Sequence, residues 1–75
     1  MNKEEIKARL MAWIEKEYEG YGKNWYDANA SITRCYGAMM FVLNDLLPEY
    51  DKELADWWDD VMLPKFREAY RKAGD

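Results

Sequence analysis

Carboxylates are the most abundant groups in this chain that can hold a proton or a cation, and Glu49, Glu53, Asp56 and Asp60 recur at spacings of three and four residues. On a helix such spacing makes them neighbours, as acid–base catalysis by a carboxylate pair or binding of a hard divalent ion requires. Asp59 adjoins the set. Metal sites in helical bundles, however, draw inward-pointing ligands from several helices. These carboxylates belong to the outward side of one helix and read as a solvated face, so no metal and no cofactor is assigned.

Ser31, Thr33 and Cys35 are close in sequence, but Cys35 falls on an apolar stripe and reads as a small core hydrophobe rather than a reactive thiol. The chain has no histidine, no glycine-rich phosphate loop and no elbow around a nucleophilic serine. No catalytic residue is assigned, and the chain reads as a non-enzyme.

Acidity is concentrated rather than spread. Between Asp45 and Asp60 seven acidic residues face one lysine, a local charge of −6, whereas Val61 to Asp75 carries +2. A ridge of one sign can steer a partner of the other without a deep pocket. The candidate partner-binding residues are therefore Glu49, Glu53, Asp56, Asp59 and Asp60, directed at a protein with a basic surface. Lys65, Arg67, Arg71 and Lys72 make too weak a basic footprint for phosphate contact and instead complement a helix dipole, so no direct nucleic-acid binding is expected. The overall formal charge of −4 agrees.

Apolar periodicity places these groups on three helices. Asn2 and Glu5 have the form of a capping pair ahead of Ile6, Leu10, Trp13, Ile14 and Tyr18, which predicts a helix over 3–18. Gly20 and Gly22 end it, and Asn24 and Asp27 open a second helix. Trp25, Ala28, Ile32, Cys35, Tyr36, Met39, Val42, Leu43 and Leu46 share its stripe, and Pro48 stops it after Leu47. Asp51 caps a third helix whose inward face is Tyr50, Leu54, Trp57, Trp58 and Val61, with Glu49, Glu53, Asp56 and Asp60 opposite. Beyond Pro64 the apolar set Met62, Phe66, Ala69 and Tyr70 is rotated by roughly 80°, which predicts a kink or break there and a short fourth helix. A long loop is disfavoured, because Asp59 and Asp60 would then sit at the negative end of a helix dipole.

The expected fold is an all-α, antiparallel three-helix bundle forming a single domain over 1–75. The back of the second helix carries Ala30, Arg34, Gly37, Ala38 and Phe41. This face is expected to pack within the bundle; the alternative is an interface, with Arg34, Gly37 and Phe41 meeting a second copy or another partner. The lone Cys35 suits a reducing cytosol, the charged residues 1–9 do not resemble a secretory signal, and no apolar run is long enough to cross a membrane. The sequence thus points to a small cytoplasmic interaction module that occupies a surface of another macromolecule. The alternatives are an acidic nucleic-acid mimic or inhibitor of a nucleic-acid enzyme, of phage or mobile-element type, and a homo-oligomeric structural protein.

Overall fold

The computed structural model describes residues 2–20 and 28–74. Helix α1 (Lys3–Gly20) and helix α2 (Ala28–Phe41) are followed by a π turn over Val42–Leu46. Helix α3 (Lys52–Trp57), a second π turn (Trp58–Met62) and helix α4 (Leu63–Gly74) then run on as one uninterrupted rod. All described regular structure is helical, as the periodicity requires. The caps at Asn24 and Asp27, and the packing of Trp25, lie outside the described residues.

The starts of α1 and α3 are capped by the residues whose types favour it. The Glu5 amide donates to Asn2 Oδ1 at 2.9 Å, and Asn2 Nδ2 donates back to the Glu5 carboxylate at 3.0 Å. The Leu54 amide donates to Asp51 Oδ1 at 2.9 Å. At the end of the second helix, Leu47 is extended (φ −80°, ψ 141°), the conformation that a following proline imposes.

The chain runs up, down and up. Arg34 meets Glu17, and Ala38, Val42 and Leu46 lie against Ile6, Leu10 and Trp13, so α1 and α2 are antiparallel. Lys7 meets Asp51 and Tyr18 meets Phe66, so α1 and the α3–α4 rod are parallel. The core comprises Leu10, Ile14, Cys35, Met39, Val42, Leu43, Leu47, Leu54, Ala55, Trp58, Met62 and Phe66. At its centre the Phe66 ring, fully buried, sits 5.2 Å from Tyr18 edge to face and 6.0 Å from Trp58.

Buried positions recur every fourth residue: Ser31, Cys35, Met39, Leu43 and Leu47 on the second helix, and Leu54, Trp58, Met62 and Phe66 on the rod. In a regular α-helix a four-residue step overshoots a full turn by about 40°, so Phe66 would stand about 120° away from Leu54. A π turn accommodates one extra residue, recovering about 100° of that drift. In the rod the Leu63 amide donates to the Trp58 carbonyl, five residues back, and Leu47 donates likewise to Val42 at 2.9 Å.

Of the kink or break expected at Pro64, the break is absent: the helix continues through it. Pro64 has no amide hydrogen, and its ring would collide with the Asp60 carbonyl in a regular helix. The wider turn falls where that conflict would arise, and it absorbs the rotation between the two apolar sets.

Among the described residues six members of the expected apolar stripes are exposed: Trp13, Tyr36, Leu46, Tyr50, Val61 and Tyr70, at 37%, 53%, 45%, 68%, 42% and 47%. Each π turn delays the next buried position by one residue, which substitutes Leu47 for Leu46 and Met62 for Val61. Tyr50 precedes the Asp51 cap and lies outside the helix, while Tyr36 stands one residue, about 100°, from the buried Cys35.

If the second π turn is one inserted residue, removing that residue restores a regular helix without moving Phe66 off the core line. Deleting Asp59 together with Pro64→Ala is expected to leave a cooperative fold within about 2 kcal/mol of the parent by urea titration. Deleting Asp59 alone costs about 3 kcal/mol more, because Pro64 then stands inside an α-helix.

Candidate functional site

The five acidic residues do not form one ridge. Glu53, Asp56 and Asp60 line a groove of about 320 Å³ between α1 and the rod, with Lys7, Met11, Leu54, Trp57 and Val61. Asp59 lies on the other side of the rod, in a cavity of about 190 Å³ with Tyr36, Met40, Tyr50, Ala55 and Trp58. Glu49 is exposed in the segment before the Asp51 cap. Of the expected face Glu49, Glu53, Asp56 and Asp60, the last three share the groove while Glu49 precedes the helix; Asp59, one residue and about 100° from Asp60, falls on the other side.

The groove joins an apolar floor to an acidic rim. Met11, Leu54, Trp57 and Val61 supply the floor, Leu54 buried and Val61 exposed. Asp56 accepts a 2.6 Å hydrogen bond from Lys52, one turn earlier on the same helix, and this raises the Lys52 pKa. Among the described residues no three carboxylate, histidine or cysteine groups converge as a metal site would need.

Lys7 lines the groove, but its charge is already matched by a carboxylate that sequence reading identified solely as a cap. Asp51 is buried, with its side chain 6% exposed. It accepts from the Leu54 amide, and it pairs with Lys7 Nζ at 3.0 Å and with Lys3 Nζ at 3.7 Å. The Leu54 amide first and the Lys7 hydrogen bond second hold the Asp51 carboxyl below the usual carboxylate range. The same hydrogen bond raises the Lys7 pKa above that of a free lysine. Asp51 offsets one of its two lysines and leaves that trio at +1, while Lys52 pairs with Asp56, so against Glu53, Asp56 and Asp60 the surroundings of the groove stay acidic by a single charge.

Elsewhere, charges and thiol are also committed. Burial pushes the Cys35 thiol up to about 11, with Glu17 adding to the effect, so it is protonated at neutral pH and a poor nucleophile. Arg71 forks onto Glu68, with Nη2–Oε1 at 2.6 Å and Nε–Oε2 at 3.2 Å, and Lys65 stands 6.0 Å above the Tyr18 ring. The buried Trp58 indole N–H finds no acceptor among the described residues, a deficit of roughly 1–3 kcal/mol.

The back of the second helix does not pack within the bundle, contrary to expectation. Gly37 is exposed and a methyl group added there would meet none of the described residues within 4 Å, while Phe41 is 53% exposed. Arg34 and Ala38 are the exceptions: Ala38 is half-buried against the core, and Arg34 reaches α1, pairing with Glu17 at 3.1 Å and lying 5.7 Å above the Trp13 ring, although its side chain remains 61% exposed. Beside this face Ile6, Arg9, Leu10, Trp13, Ala38, Val42 and Leu46 line an open apolar groove of about 390 Å³. The sequence signal was available: three helices with apolar residues every fourth position cannot also bury a stripe on the opposite side of the middle one.

No helix of the described residues is long and apolar enough to cross a membrane. Comparison of the chain with protein-family models, curated proteins and solved structures returns no match.

The Asp51 pin gives a signed pH dependence. Its folded pKa is depressed, so the stabilisation is complete above the unfolded value near 3.8 and is lost as pH falls through the lower folded value. Lys7 acts in the opposite sense, with stabilisation complete below 10.5 and lost as pH rises through its raised folded pKa. Asp51→Ala is expected to cost roughly 1–3 kcal/mol at neutral pH, and Asp51→Asn less because asparagine still caps. Urea titrations at pH 7 and pH 3 check this: the gap between wild type and Asp51→Asn should shrink at the lower pH.

Proposed function

We propose that this chain is a non-catalytic interaction module that occupies a surface of a basic protein partner, and that the groove between α1 and the rod is its docking site. The observation that carries this reading is the placement of Glu53, Asp56 and Asp60 around the apolar floor of Met11, Trp57 and Val61. A partner segment that pairs lysines or arginines with an apolar anchor complements such a groove in both respects. The fixed charges steer the encounter, and Trp57, already half-buried, offers the aromatic surface that concentrates binding energy in interfaces.

The chemistry of the remaining groups favours binding over catalysis. Cys35 is sealed in the core and Asp51 is consumed by the cap and two lysines, while the carboxylates of the groove stand on an open rim. The mixture of charge with apolar surface also favours a protein segment over mimicry of a nucleic-acid backbone, which calls for a row of charges without an apolar floor.

A synthetic amphipathic helical peptide of leucine and lysine tests the reading. Trp57 emission and amide shifts of Met11 and Val61 should report saturable binding that weakens at least tenfold in about 0.5 M salt. Combining Glu53→Lys, Asp56→Lys and Asp60→Lys should weaken binding at least tenfold, whereas Glu49→Lys with Asp59→Lys changes it by less than about threefold. Equal binding by the triple variant, or peptide-induced shifts confined to other faces, contradicts the proposal.

A further inference from the structure

We infer that the outer face of α2 pairs with the same face of a second copy of this chain, the two helices antiparallel about a two-fold axis level with Met39 and Met40. This surface is separate from the acidic groove and does not depend on it. Arg34, Gly37, Phe41 and Asp45 follow one another at spacings of three, four and four residues, and all four are exposed. On α2 and the π turn that continues it, those spacings keep them on one line. The line begins with a cation and ends with an anion, and no charged residue lies between them.

Such a line is complementary to itself when reversed. Antiparallel pairing brings each Arg34 level with Asp45 of the second copy, and each Phe41 level with Gly37 of the second copy. Gly37 carries a cost in helix propensity that nothing among the described residues repays, since a methyl group there would meet none of them within 4 Å. Against a second helix it permits close approach, and the 53%-exposed Phe41 ring supplies the group that fills the space. Tyr36 and Met40, at 53% and 38% exposed, extend the apolar contact on one side.

Charge selects the occupant. Two copies of a chain with formal charge −4 repel across most of their surfaces; on this line the charges are Asp45 and Arg34, the latter shared with Glu17 of its own chain, so repulsion is smallest here and each Arg34 adds an attraction to Asp45 of the second copy. A strongly basic partner would find Asp45 alone on this line and would meet Arg34 as a like charge. The Glu17 pair and the Trp13 ring hold the Arg34 side chain in place while leaving it 61% exposed, so little order has to be imposed on association.

Sedimentation equilibrium of the full chain, from micromolar to about 1 mM, tests the inference. A reversible species of twice the 9.0 kDa chain mass is expected. Phe41→Glu and Gly37→Leu should each raise the dimer Kd at least tenfold. Gly37→Leu should do so while raising the melting temperature measured at micromolar dilution, so that loss of dimer is not loss of fold. Arg34→Asp and Asp45→Arg should each weaken the dimer at least tenfold, and their combination should restore it to within about threefold of wild type. A monomer at every concentration, a dimer unmoved by Phe41→Glu, or a double exchange no tighter than its single variants would each overturn the inference.

Discussion

Spacing governs this small bundle: its core residues recur every fourth position, and a regular α-helix cannot hold such a line on one face over three turns. The two π turns reconcile sequence with geometry. The turn at Trp58–Met62 lets Leu54, Trp58, Met62 and Phe66 enter one core from a rod that passes through a proline without breaking. With 75 residues there is little apolar area in reserve. A rod broken at Pro64 would have removed Phe66, the ring on which Tyr18 and Trp58 converge.

Electrostatics then determines which charges remain for other uses. Asp51 ties the start of α3 to the start of α1 through Lys7 and Lys3, and Arg34 ties α2 to the end of α1 through Glu17 and Trp13. Cations near both candidate surfaces are thus engaged within the bundle, Arg34 by Glu17 and two lysines by the single Asp51. What remains is an acidic rim over an apolar floor on one side, and on the other a neutral apolar helix face flanked by opposite charges. The two surfaces are compatible in one molecule, because pairing through α2 leaves the groove between α1 and the rod open.

Much of the fold was legible in the residues. The Asn2–Glu5 pair, the Asp51 cap and the stop at Pro48 each follow from side-chain chemistry acting within a few residues, and the structure places all three as expected. The three-helix architecture follows equally from apolar periodicity. Positions downstream of the π turns were not legible, because a uniform rotation of about 100° per residue assigns Leu46 and Val61 inward where the widened turns bury Leu47 and Met62. Spacing set Glu53, Asp56 and Asp60 apart from Asp59, but that the first three border a groove against α1 depends on which neighbouring helix they meet. Asp51 was recognised as a cap, while its burial and its two lysines depend on contact between α1 and α3, which spacing along one helix does not encode.

Hydrogen-bond connectivity at the two wide turns is the most direct test of this account. Through-hydrogen-bond couplings in an NMR spectrum of the isotope-labelled chain should link the Leu63 amide nitrogen to the Trp58 carbonyl carbon, and that of Leu47 to Val42. Couplings from Leu63 to Asp59 and from Leu47 to Leu43 would instead identify regular α-helix through both segments, and the four-residue core line could not then be held on one face.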